Sequence, residues 1–453
     1  MRNKIEYNYK KITVIVLLLL IVTACNSTAN KKGTSGSIEA KASSGAAKPQ
    51  VTIKVYLGTD YSSKDLYKRM NEAFTAKTGI HVESELVPGA GNDMYKKIDL
   101  DLASAGTVDV IPLIQPLILD KYVKKNYLLP LNDLMKTEQY DADKMFGHYL
   151  TKYDGMIYSL PEQMSTWAVF YNKKIFDDAK IPYPPSEWTW EQYIDTAKKL
   201  TDPAKGIYGS YMLDYDIYLF MLAKQHNVSA YKADGTSNYD DPLFKESLKL
   251  FGDLGNVYKI QPSWHEFKTK KLPWDGFMSG KYGMHLIGTW YTALLTNEKD
   301  YPKDWKWGIT QIPTDGKGMY NFGVTYTYAV NKHSAHPKEA LEYVKFKAEN
   351  SAIMGGAIPA LTDRVAQKQS LKEIADASEG SVTVDELSKA FFDNNLGYIQ
   401  EKNIGPAATE YSNIILSESD LYLRGSRSLD DTIRAIKYKA DAAIRKVESA
   451  EDE

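Results

Sequence analysis

The chain has 453 residues, 43% hydrophobic and 25% charged, the mix of a globular protein and enough chain for two or three domains at roughly 150 residues each. Lys plus Arg number 56 against 58 for Asp plus Glu, a formal charge of −2, so no basic excess draws it to nucleic acid. A single Cys excludes an internal disulfide, a Cys-based zinc site and an iron–sulfur cluster.

The chain starts with a basic stretch, Arg2, Lys4, Lys10 and Lys11, followed by an apolar run from Ile12 to Val22. That run is shorter than the ~20 residues needed to span a bilayer, and the pair reads as a secretory signal. It ends in Val22-Thr23-Ala24-Cys25, which contains the chain's one thiol. These residues resemble the bacterial lipobox. The resemblance implies that residues 1–24 are removed as a signal peptide and that Cys25 takes a diacylglyceryl group. Two or more acyl chains anchor a protein stably. Residues 25–49 then form the lipidated Cys and a tether. Its stretch from Asn26 to Lys48 is Ser, Gly, Ala, Thr and Lys with almost no apolar bulk, so nothing offsets the entropy of ordering it. The sequon Asn26-Ser27-Thr28 carries no weight beside a bacterial-type lipobox. No later apolar run is long enough to span a membrane, so the rest is expected to be a soluble body at the outer face of a membrane.

Val51, Ile53, Val55 and Leu57 alternate as in a strand. Ser62 with Asp65 forms a candidate capping box. Leu66, Met70, Ala73 and Phe74 share a helical face, and Gly79 stops that helix. Ile80 to Val87 reads as a second strand, Leu100 to Ala105 as a short helix, and Val108 to Leu113 as a third strand. This order predicts an α/β domain with a mostly parallel sheet. Ligands of such sheets sit beyond the carboxyl ends of strands, in loops such as those holding Asp60 and Gln115. Thr189 with Gln192 caps a helix bearing Trp190, Tyr193, Ala197 and Leu200. Pro337 opens another, ahead of Ala340, Leu341, Val344 and Ala348. The last helix opens at Ser428 with Asp431, and its apolar face is Ile433, Ile436, Ala440, Ile444 and Val447.

The segment DGMIYSLPEQMSTWAVFYNKKIFDDAKIPYPPSEWTWEQYIDTAKKLT, Asp154 to Thr201, resembles the extracellular solute-binding proteins, family 1, the sugar-binding lipoproteins of ATP-binding-cassette importers. The family pattern is a DGK-x-Y-x-x-P turn, a strand ending in YNK, a helix, then PP-x-TW and another helix. Met156 stands where the family has Lys. Asp109-Val110 matches the family's DV strand. FMSGKYGMHLIGTW, Phe277 to Trp290, resembles F-x-x-GK-x-AM-x-x-x-G-x-W, with Gly283 where Ala is usual. AVNKHSAHPKEALEYVKF resembles the late strand–helix unit. The ordered set covers nearly everything from Val51 onward. It implies an α/β, two-lobed periplasmic-binding-protein-like fold with a multi-strand hinge and an interlobe ligand cleft. By analogy, residues 50–163 plus 313–349 form the first lobe and 164–312 plus 350–453 the second.

A sugar needs flat rings for its C–H faces and polar groups for its hydroxyls. Trp167, Asp214, Tyr215, Tyr218, Trp264, Trp274, Trp290, Tyr291 and Tyr326 supply these types. The excess of Tyr, 33 against 13 Phe and 8 Trp, suits such wet, amphipathic surfaces. The ligand-binding residues expected are Asp60, Gln115, Ser165, Trp167, Asp214, Tyr215, Trp290 and Tyr326. The resemblance places a sugar-stacking Trp at position 290 and a polar contact at Asp60. Trp188, Trp190, Trp305 and Trp307 are assigned to packing.

Catalytic motifs fail. Gly276 to Lys281 lacks the spacing of a phosphate-cradling loop. His333 and His336 have no evident third metal ligand. Asp141 and Asp143 lack the later Gly and Glu of a calcium loop. The sequence therefore calls for no enzyme activity, cofactor or metal. It predicts a membrane-anchored monomer that delivers an oligosaccharide, or another small solute, to the membrane subunits of an ATP-binding-cassette permease. Aromatic richness without a basic cluster favours a neutral sugar. The alternatives are an extracytoplasmic glycoside hydrolase, which needs paired carboxylates, or a sensory or adhesive lipoprotein.

Overall fold

The computed structural model describes residues 51–451 apart from 59–63, 88–91, 115, 213 and 319. The signal segment, Cys25, the tether, Ser62, Asp60 and Gln115 lie outside the described residues.

The first alternating run becomes β1 (Thr52–Gly58), with Ile53, Val55 and Leu57 buried. It lies between β2 (His81–Val87) and β3 (Val110–Leu113), parallel to both, with Thr52 opposite His81 and Val55 opposite Val110. Helix α1 (Lys64–Thr78) buries Met70 and Phe74 and is followed by Gly79 at φ +77°, a left-handed conformation that glycine adopts without strain. Helix α2 runs Asn92–Ala103, not Leu100–Ala105. Its buried stripe is Met94, Tyr95, Ile98 and Leu102, spaced three to four apart, and the charged residues between them hid it from view.

The remaining strands are β4 (Ser159–Asn172), β5 (Tyr208–Tyr211), β6 (Tyr282–Gly288), β7 (Trp307–Gln311), β8 (Tyr320–Val330) and β9 (Gly397–Gln400). Their order is β2-β1-β3-β8-β4-β6-β5, with β7 paired to β4 and β9 to β8. The sheet is mixed rather than mostly parallel. β3, β6 and β7 each meet the long strands β8 and β4 in antiparallel register, as those two meet each other. The α/β reading holds; parallel pairing covers the opening β-α-β run and recurs only in the pairs β5–β6 and β8–β9 among the described strands.

β4 and β8 connect two lobes. They pair with each other from Ser159–Ala329 to Thr166–Gly323. Beyond that point β4 pairs with β6 from Trp167–Gly288 and with β7 from Ala168–Gln311. The first lobe has a core on each sheet face: Ile53, Val55 and Leu57 of β1 enter one and Tyr56 the other, following the two-residue strand period. A third core fills the second lobe and contains the four packing tryptophans, 188, 190, 305 and 307.

β4 is bulged between Pro161 and Gln163. There Glu162 is buried against the helix Pro337–Gly355. The Ser351 hydroxyl donates to it, and the fully buried Lys347 ammonium sits 2.9 Å from its carboxylate. The same ammonium lies 4.3 Å from the Tyr328 ring and 4.8 Å from that of Tyr67. The helix Trp190–Leu200 starts with the expected capping box, Thr189 and Gln192 reciprocally bonded. The helix Leu429–Glu451 buries Ile433, Ile436, Ala440 and Ile444, while Val447 is half-exposed.

Candidate ligand-binding site

Residues directly paired across two strands share a face. Ser165 pairs with Val324 and Gln163 with Tyr326, whereas Thr166 pairs with Gly323. Ser165, Trp167 and Tyr326 therefore lie on one face of the crossing strands. On that face aromatic rings form a chain. Trp167 stands edge-on to Tyr215 at 6.4 Å, Tyr215 is 6.5 Å from Trp290, and Trp290 is 6.0 Å from Trp274. Accessibility rises along it. Trp167 is buried, Tyr215 and Trp290 are half-buried, and Trp274 is 47% exposed.

The position of Trp290 follows from its neighbours. β6 ends at Gly288, and a single helical turn, Thr289–Tyr291, lifts the indole out. A Cβ on Gly288 would lie 2.5 Å from Trp290 Nε1, so only glycine lets the indole fold back this closely. The Thr289 hydroxyl accepts from the Thr166 amide at 3.2 Å and donates to Ser165 Oγ at 3.4 Å. Ser165 is itself buried, and these bonds fix the turn that bears Trp290 to the crossing strand.

Asp214 pairs with Lys268. A cavity of about 260 Å³ opens beside this pair, with Tyr215, Lys271 and Trp274 in its wall. Burial, then Asp214, pushes the Tyr215 phenol above its ordinary range, and burial, then Glu401, does the same for Tyr326. Both phenols thus stay neutral hydrogen-bonding groups. Trp264 is buried away from this chain of rings, its Nε1 donating to Asp420 at 2.7 Å.

Sequence reading missed Glu401. Its carboxylate accepts from Trp167 Nε1 at 2.6 Å, 234 residues away, and its side chain is nearly buried. The Glu401 amide donates to Gly323 O at 2.8 Å, extending the β8–β9 pairing that delivers it. Nothing local marks the residue. Behind it Lys402 pairs with Asp216 at 2.8 Å and lies 3.5 Å from Glu401, and the Ser412 hydroxyl also donates to Asp216. The buried Lys224 ammonium donates to the Gln400 carbonyl at 3.2 Å.

Burial lowers the Lys224 ammonium to about 8, with Glu401 and Asp216 pulling the other way. In the unfolded chain a lysine titrates near ~10.4. Between those values the unfolded state holds more protons, so this group makes stability rise with pH. From about pH 8 to about pH 10 the unfolding free energy of the native chain should gain about 1–2 kcal/mol on that of Lys224→Met. Urea titrations at stepped pH measure it. A constant difference would show that the ammonium is not desolvated.

Among the described residues no three His, Cys, Asp or Glu side chains are grouped to hold a metal. Asp141 instead caps the helix Ala142–Phe146, accepting from the Lys144 amide at 3.0 Å.

The profile of the bacterial extracellular solute-binding proteins matches residues 60–353. The chain belongs to this family. A binding protein of Brucella abortus is 27% identical over 304 residues, 63% of this chain and 70% of the relative. A sugar transporter from Rhizobium etli, solved in an open conformation, superposes with a TM-score of 0.72 at 24% identity, covering 86% of this chain and 99% of that one. An ABC substrate-binding protein from Listeria monocytogenes, solved with cycloalternan, gives 0.71 at 21% identity, covering 87% and 98%. These structures share the two-lobed fold expected from the sequence motifs. Solute-binding proteins of this family are carriers, not enzymes, which sets aside the hydrolase alternative. Among the described residues no helix of this solute-binding protein is long and apolar enough to cross a membrane.

Proposed function

We propose that this solute-binding protein captures a sugar, an oligosaccharide, between its lobes and delivers it to an ATP-binding-cassette permease. The supporting observation is the chain of rings from Trp167 to Trp274, flanked by Ser165, Asp214, Tyr326 and Glu401 on one face of the strands that join the lobes. Flat rings beside carboxylates and hydroxyls suit an alternation of apolar C–H faces and polar edges. Asp60 and Gln115 would add contacts from the first lobe, comprising residues 50–163 plus 313–349. Residues 164–312 plus 350–453 make the second lobe. A sugar touching both lobes favours the closed arrangement, which the permease reads. Affinity near micromolar, about −8 kcal/mol, permits both capture and release. The name of the Listeria protein's ligand, cycloalternan, agrees with an oligosaccharide.

A thermal-shift screen of oligosaccharides tests the reading. Ligand at a hundred times its dissociation constant stabilises a folded protein by ~2.7 kcal/mol. A screen in which only non-sugar solutes raise the melting temperature would reject the sugar.

The carrier works as a monomer held at the outer face of the membrane through Cys25. Cys25→Ser should release the protein from the membrane fraction and abolish incorporation of labelled fatty acid. Undiminished labelling of that variant would remove the anchor.

A further inference from the structure

The cavity beside Trp274 carries more charge than a neutral sugar uses. Asp214 and Lys268 pair, so their charges cancel. Lys271 is in the same wall, at the left-handed end of the helix Trp264–Lys270. It is exposed, its amide donates to the Phe267 carbonyl, and its ammonium has no hydrogen-bond or ion-pair partner among the described residues. The other cations near the rings are engaged, Lys402 by Asp216 and Glu401, and Lys224 by main-chain carbonyls. Within the cavity wall Lys271 is therefore the charge left without a counter-charge, while the carboxylate of Asp275, which follows Trp274, lies outside that wall and engages the Tyr301 phenol. A volume of about 260 Å³ falls below the ~300–1,000 Å³ of sites that enclose a whole ligand, so it suits one end of a longer molecule.

Resting on the sugar-binding reading above, we propose that this cavity holds a uronic acid ring at the end of the oligosaccharide, stacked on Trp274 with its carboxylate against the Lys271 ammonium. A carboxylate brings one negative charge to one free cation. A phosphate brings about −1.5 to −2 at neutral pH and would be under-compensated. The expectation of a neutral ligand came from the absence of a basic cluster in the sequence. The fold changes that balance by carrying Lys268 to Asp214, 54 residues away, which leaves Lys271 free.

The test uses the full-length chain in detergent and isothermal titration calorimetry. The probes are cellotriose, maltotriose, mannotriose and galactotriose, each paired with the same trisaccharide oxidised to a uronate at its non-reducing end. The uronate of the bound pair should win by about tenfold, and raising salt should shrink that ratio by screening. In Lys271→Gln the ratio should fall close to one. Because it is a ratio, a general loss of affinity does not imitate the result. Equal or tighter binding of the neutral form, or a ratio that persists in Lys271→Gln, overturns the uronate inference while leaving the sugar reading intact. If no trisaccharide of either kind binds, the sugar reading fails and takes the inference with it.

Discussion

Trp290→Ala should weaken oligosaccharide binding about 30- to 1000-fold, ~2–4 kcal/mol, the range of an aromatic hot spot. The indole is half-buried, edged by Tyr215 and Trp274 and folded over Gly288. Removing it takes away a stacking face and opens neighbouring hydrogen bonds to water. A fully buried Trp would behave differently, costing ~3–5 kcal/mol of folding stability on truncation. With part of its surface already in solvent, Trp290 should cost less than that. Trp290→Phe keeps a smaller ring and should bind between the native chain and the alanine variant. Calorimetry of binding and urea unfolding of the same samples give both quantities. Normal affinity combined with a collapsed unfolding midpoint would show that the ring serves only the core.

The second large effect concerns stability. Lys347→Ala should lose about 3–5 kcal/mol, because it leaves the buried Glu162 carboxylate without a counter-charge. The side chains are 0% and 9% exposed, 2.9 Å apart, so water cannot replace the missing ammonium. The Ser351 hydroxyl offers one hydrogen bond but no charge. The two tyrosine rings that flank the ammonium would lose its cation–π contact as well. Pairing Lys347→Met with Glu162→Leu removes both charges and should recover most of the loss, since a buried ion pair is often no more stabilising than well-packed apolar groups. Chemical denaturation of the single and double variants measures this. A single variant within 1 kcal/mol of the native chain would sink the argument. Because Glu162 sits in the bulge of β4, the pair also fixes the helix Pro337–Gly355 to a strand that joins the lobes.

Short-range signals carried much of the fold. The alternation of Ile53, Val55 and Leu57, the Thr189–Gln192 box and Pro337 at a helix start each act within a few residues, and each appears in the structure. The α2 start was missed because charged residues interrupt its stripe. The parallel sheet was over-extended because strand direction in β4 and β8 depends on partners more than a hundred residues distant, with Thr166 and Phe322, for instance, 156 apart.

The candidate site divides in the same way. Trp167 and Trp290 could be singled out because they lie within matching motifs, and Tyr215 by its spacing alone, and the structure gathers all three on one face. Glu401 could not, because a lone carboxylate after a short strand resembles any surface residue until β9 docks on β8.

By itself the sequence determined the capped and Pro-started helices, the first strands, the family and the aromatic material of the site, since local period, caps and ordered motifs need no partner. Tertiary structure alone decided which charges are free. Asp214 is neutralised by Lys268, Asp216 by Lys402 and Glu162 by Lys347, across separations no local pattern encodes. Charge pairing depends on distance in space, and the chain fixes that distance only once its strands have chosen their neighbours.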